Sequence, residues 1–131
     1  MTDRPGRIRW LAVAAGYFAD YFISLVIAGI GVQFDPNLAR GISFGSITGA
    51  VTAVLLVLST GVGGWIAGRL AKQEYVLHGV LIGGIGIIDM LISSFFGEQI
   101  ALTNILLQFA AVTVGALGGW LSQWMPARQE Q

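Results

Sequence analysis

Two aspartates, Asp20 and Asp89, stand inside stretches that are otherwise almost wholly apolar, and they are the residues best able to do chemistry. Each is followed four residues later by a serine, Ser24 or Ser93, which helical spacing places one turn away on the same face. A carboxyl group with a hydroxyl beside it can hold or pass a proton, or offer oxygens to a small cation. Asn104 and Gln108, again four apart, add two amides in a later apolar stretch. Three uses of this set are open. Each aspartate could be a neutral acid hydrogen-bonded to a serine, a threonine, Asn104 or Gln108 across a helix bundle. The two could instead line a polar path and exchange a proton or small cation, or face a basic or polar group on another subunit.

The elements that carry these residues are set by composition. The chain has 131 residues, 55% of them hydrophobic and 11% charged, with a mean hydropathy of +0.75. A soluble domain would be about 25% charged, so the expected solvent is a membrane. Crossing about 30 Å of hydrocarbon takes about 20 apolar residues in a helix. Four segments have that length, over residues 10–32, 44–68, 75–96 and 101–124. The predicted fold is therefore all-α, a single domain of four transmembrane helices. The first apolar run is too long for a signal peptide and leads quickly into another span, so it is expected to stay in the mature protein.

Asp20 lies eleven residues beyond Arg9, about 16 Å along a helix and so near the bilayer centre. Asp89 falls near the middle or slightly outward. A central aspartate costs about 2.5–3.5 kcal/mol on insertion scales. No lysine or arginine lies in the apolar body of any span to pair with either residue, and desolvation then favours the uncharged acid. If the two approach each other, they are expected to share a proton and titrate as a pair.

Basic residues set the expected direction. Arg4, Arg7 and Arg9 precede the first span, Arg69 and Lys72 lie between the second and third, and Arg128 follows the fourth; only Arg40 lies on the other side. The positive-inside rule then places both termini in the cytoplasm. Trp10, Trp65, Trp120 and Trp124 fall near that same side, as indoles favour the headgroup layer, while Phe34, Phe44, Phe95 and Phe96 mark the other. Asp35-Pro36-Asn37 reads as a turn in the first loop, and Pro126 as the stop of the fourth helix.

An internal echo runs through the chain. Val62-Gly63-Gly64-Trp65-Ile66 matches Leu117-Gly118-Gly119-Trp120-Leu121, and the Asp-x-x-x-Ser spacing recurs in the odd-numbered spans. The sequence predicts two tandem helix hairpins in a parallel pseudo-repeat, related by an axis along the membrane normal.

There are 19 glycines. Gly45 and Gly49, Gly64 and Gly68, Gly79 and Gly83, and Gly115 and Gly119 have small-xxx-small spacing, and Gly16 joins Ala12, Asp20, Ser24 and Ala28 on one face. Lipid offers no hydrophobic drive for helix association, so close backbone approach and interhelical hydrogen bonds must supply it. These glycines are expected to pack helices within the chain, or against another subunit.

Several functions are set aside. The formal net charge is zero and no basic run could serve as a nucleic-acid footprint. Without cysteine there is no thiolate metal site, and no zinc, phosphate-loop or catalytic-triad pattern occurs. The single histidine, His78, fits an interfacial hydrogen bond better than axial ligation of a haem or pigment. No enzyme activity and no cofactor is expected.

Gly63-Gly64-Trp65-Ile66-Ala67-Gly68, followed after a short basic loop by His78-Gly79, resembles a pattern in several uncharacterised prokaryotic families of small four-helix membrane proteins. The resemblance covers about 20 residues, together with length and span count. It implies the architecture and a prokaryotic cytoplasmic membrane, and no site residues. The expected role is a non-enzymatic packing module in the lipid bilayer, self-associating or serving as an accessory subunit of a larger membrane complex. The alternative is a small proton- or cation-handling transporter or channel using Asp20 and Asp89.

Overall fold

The computed structural model describes residues 7–97 and 99–125. Four long helices, α1 (Trp10–Phe34), α2 (Ile47–Ala71), α3 (Tyr75–Phe95) and α4 (Leu102–Ser122), are joined by short connections, the first holding a 3-10 turn at Pro36–Arg40. Their lengths of 21 to 25 residues give about 31–38 Å, enough to cross a bilayer. The most apolar part of each has a mean hydropathy between 1.6 and 2.0. The chain is a four-helix polytopic membrane protein.

What is buried and what is exposed supports that conclusion. The interior is made of small or hydroxylated residues such as Ala12, Ala53, Ser59, Thr60, Ala67, Ala71 and Ala111, while Leu11, Phe18, Phe22, Ile47 and Phe95 point outward. A water-soluble bundle does the reverse. The pattern suits a solvent as apolar as leucine, in which helices gain by bringing their backbones together.

We call the bundle end holding residues 7–10, the α2–α3 link and residues 122–125 proximal, and the opposite end distal. Helix α2 is central, packed against α1, α3 and α4; α4 also packs against α3, whereas α1 and α3 touch only slightly. On the proximal side the seams close to backbone contact. A Cβ added to Gly16 would lie 2.5 Å from the Gly63 carbonyl oxygen and 2.8 Å from the Ala67 Cβ. A Cβ on Gly64 or Gly79 would run into the Gly115 carbonyl, one on Gly119 into the Tyr75 carbonyl, and one on Gly68 into the Ser122 hydroxyl. Gly83 faces the Val112 backbone. Val13, Ala67 and Ile82 form the small apolar cluster where α1, α2 and α3 meet.

Helix ends differ from the hydropathy boundaries for local chemical reasons. Helix α2 begins three residues later than the 44–68 span, because the Ser46 side chain accepts the Gly49 N–H at 3.0 Å and fixes the first turn there. Gly45 therefore lies in the exposed turn ahead of α2, and Gly49 faces the Ser43 backbone, so this pair forms no helix–helix seam. At its other end α2 continues through Arg69 and Ala71 to Lys72, which is left-handed at φ 58°. Arg69 is thus in the last helical turn rather than a loop, where a cation suits the helix dipole. Its guanidinium sits 5.4 Å from the Trp65 ring centroid and donates to the Met125 carbonyl. Helix α4 ends at Ser122, ahead of the expected stop; Pro126, like Arg4 and Arg128, lies outside the described residues.

Both hairpins of the predicted repeat are present, but their interactions are not equivalent. Gly63 packs on Gly16 of α1, whereas its counterpart Gly118 packs on Gly61 of α2. Helix α3 packs on α2, and α1 has no comparable contact with α4.

Two side-chain clips fix the ends. At the proximal end His78 is fully buried, its Nε2 accepting the Arg9 backbone N–H at 3.1 Å and its Nδ1 lying 2.9 Å from the Glu74 carbonyl. Accepting at Nε2 requires the proton on Nδ1, so the ring is the neutral Nδ1–H form and both nitrogens are engaged. At the distal end Asp35 accepts from the Ser46 hydroxyl at 3.0 Å and from the Asn37 backbone and side-chain N–H groups, both at 3.1 Å.

Candidate functional site

The side chains singled out by the sequence converge on one polar cavity of about 430 Å³. Helix α1 contributes Asp20 and Ser24, α3 contributes Asp89 and Ser93, and α4 contributes Asn104 and Gln108. Helical periodicity makes this possible. Tyr17, Asp20, Tyr21 and Ser24 fall at i, i+3, i+4 and i+7 on α1, and Asn104, Leu107, Gln108 and Ala111 repeat that spacing on α4. On α3 the same face runs through Gly83, Gly86, Asp89 and Ser93. The missing Cβ of Gly86 leaves room for the Gln108 amide, whose Oε1 occupies the space a side chain would need.

The cavity is partly open and has a closed floor. Its floor is the cluster around Ile82, 2% exposed, and the Gly83–Val112 contact. Its other limit is formed by Ile42, Gln99 and Ile100 in the distal connections. The scant contact between α1 and α3 leaves their facing surfaces, the ones that carry the two aspartates, apart above the floor. The space is a vestibule reaching from mid-bundle to the distal end.

The aspartates sit in different surroundings. Asp20 is half-buried, and its Oδ1 lies 2.6 Å from the Ser59 hydroxyl, 3.4 Å from that of Ser24 and 3.4 Å from that of Thr60. The Ser24 and Ser59 hydroxyls are 2.8 Å apart, and Ser59 also lies 2.7 Å from the Leu56 carbonyl. Asp20 is therefore held by a hydroxyl network spanning α1 and α2. Asp89 is exposed to the vestibule and has no hydrogen-bond or ion-pair partner among the described residues. Asn104 is likewise exposed. Among the described residues no lysine, arginine or histidine lines the cavity, so the ionisable groups that line it there, Asp20 and Asp89 above all, bring only negative charge.

This geometry allows binding of a proton or a positively charged group, with one carboxyl group preorganised and one unengaged. Among the described residues no group of three or more metal-ligating side chains comes together. The glycines proposed for packing lie outside the vestibule, except Gly83 on its floor, and Gly16, Gly64, Gly68, Gly79, Gly115 and Gly119 occupy the proximal seams.

Tyr17, Tyr21, Thr60 and Gln99 are polar or aromatic lining residues that are absent from the sequence candidates. The two tyrosines have a readable signal, since they flank Asp20 at spacings that share its face. Only the tertiary packing shows that Thr60 reaches Asp20.

No protein-family model, curated protein or solved structure matches the chain. The functional reading rests on the site itself.

Proposed function

We propose that this protein is a small non-enzymatic transport or channel module that takes up a proton or a cation in its vestibule, with Asp20 and Asp89 as the charge-bearing groups. The observation that supports this reading is that carboxyl groups from two different spans line one cavity instead of being sealed in separate helix seams. A purely structural aspartate would be expected to exhaust its hydrogen-bonding capacity within the bundle. Asp89 has no such partner among the described residues. In a bilayer an unpartnered aspartate is costly, and one facing a polar cavity marks a path for protons or ions.

The membrane proposed is a prokaryotic cytoplasmic membrane with both termini inside, which the six-to-one division of basic residues supports. The vestibule then faces outward. The test is proton and sodium flux in proteoliposomes containing the wild-type, Asp20→Asn or Asp89→Asn protein. Asparagine keeps shape and most hydrogen bonding, so a path that depends on ionisable groups loses flux with either variant. Flux equal in all three would sink the reading.

The packing-module reading keeps one supporting observation. Gly29 and Gly84 have nothing within 4 Å of where a side chain would begin, so a helix from a second copy or a larger membrane complex could approach there. Stoichiometric co-purification of other membrane subunits in mild detergent would favour an accessory role; a lone monomer would remove it.

A further inference from the structure

Resting on the vestibule as a cation path, we propose that its substrate is an organic cation, a single positively charged head on an apolar or aromatic body, rather than a bare metal ion. Size is the first argument. At about 430 Å³, the cavity exceeds many times the ~30 Å³ share of one water, and it falls in the ~300–1,000 Å³ range of pockets that hold small organic molecules. A dehydrated metal ion would leave most of it unfilled.

The lining is the second argument. Two carboxyl groups on different helices supply negative charge, and among the described residues no basic side chain lines the cavity to offset them. Between the polar groups the surface is apolar, with Leu56, Val57, Met90 and Leu107 offering contact to a hydrocarbon body. Met90 is flexible and polarisable, so it adapts to bodies of different shape.

Aromatic placement is the third. Tyr17 and Tyr21 line the cavity on the face of α1 that carries Asp20, their rings stacked 6.1 Å apart at 22°. An ammonium or phosphonium head within about 6 Å of a tyrosine face is attracted by the ring quadrupole. A small hydrated ion gains little from such a surface. Asp20, anchored by Ser24, Ser59 and Thr60, acts as the fixed countercharge, and unpartnered Asp89 acts as the adjustable one.

The experiment is equilibrium binding of radiolabelled tetraphenylphosphonium to the purified protein in mild detergent, alongside the liposome flux assay. Saturable binding is expected. Asp89→Asn should weaken it by about tenfold or more, because a charge is lost from a confined site. Asp89 holds no structural contact, so this variant is expected to fold normally, which a thermal melt verifies. Tyr21→Leu should weaken binding by about two- to fivefold, while Tyr21→Phe retains it. Gly84→Ala, outside the cavity, should leave it unchanged. Absence of saturable binding while aspartate-dependent proton or sodium flux persists would overturn the organic-cation assignment and leave the cation path standing. Tetraphenylphosphonium binding indifferent to both aspartate variants would also overturn it, since the probe would then be partitioning into apolar surface. Loss of both binding and flux activity in the wild type would overturn both readings.

Discussion

Replacing Gly16 by alanine places a methyl group 2.5 Å from the Gly63 carbonyl oxygen, against an ordinary contact distance of about 3.4 Å. The obstacle is backbone, and the Ala67 Cβ at 2.8 Å closes a second direction. Helices α1 and α2 must therefore part by about 0.9 Å at this point. A radial gap of that size forfeits about a quarter to a half of each dispersion contact along the seam, and overpacking of this kind costs about 1–3 kcal/mol. Helix propensity acts the other way, because alanine is better than glycine in a helix interior by up to about 1 kcal/mol. Gly84→Ala isolates that opposing effect, since nothing lies within 4 Å of the added methyl. The assay is reversible unfolding of detergent-solubilised protein with rising SDS mole fraction, followed by far-UV circular dichroism. Gly16→Ala should fall about 1–3 kcal/mol below Gly84→Ala. Equal stability of the two, or the opposite order, would refute the claim that the proximal seam is set by backbone contact.

Other outcomes follow from the same geometry. Ser46→Ala should cost about 1 kcal/mol through loss of the α2 N-cap, seen as faster amide exchange in the first turn of α2. Asp35 is held below the usual carboxylate range, first by the Ser46 hydroxyl and then by the Asn37 backbone N–H. Because the folded value is the lower one, its stabilising effect is complete above about pH 3.8 and disappears as pH falls through that folded value. Carbon-13 NMR titration of Asp35 and exchange of the Asn37 amide should therefore both have midpoints below the ordinary 3.8, and Ser46→Ala should move the midpoint upward. His78→Ala removes the part-buried bond from the Arg9 N–H to His78 and should cost about 1 kcal/mol, with increased exchange confined to the start of α1. Ser59→Ala removes the shortest hydroxyl contact to Asp20; infrared difference spectra should show the Asp20 carboxyl band shifting while that of Asp89 stays put.

The number and approximate place of the spans were legible because crossing hydrocarbon demands a run of apolar residues whatever the helices later touch. Their ends were less so. Hydropathy cannot distinguish Phe44 in a turn from Phe44 in a helix, whereas a hydrogen bond from the Gly49 N–H to Ser46 does. Asp20 and Asp89 stood out because their types conflict with their surroundings, yet a single sequence does not reveal that they share a cavity. That depends on α1 and α3 staying apart above Ile82, a consequence of which glycines meet which backbones. The Gly-Gly-Trp echo invited a symmetric arrangement, but identical words are used differently: Gly63 faces α1 while Gly118 faces α2. The spacing of Tyr17 and Tyr21 puts them on the Asp20 face, but aromatic residues in a membrane helix suit lipid equally well, so spacing alone did not single them out.

The His78 clip carries a consequence for the order of assembly. The Arg9 amide at the start of α1 donates to His78, 69 residues further along the chain. During synthesis the first hairpin can therefore be complete while its opening turn still lacks that bond. That bond forms only when α3 enters the bundle, so the earliest helix to be made waits on a much later one to complete this contact at its own start.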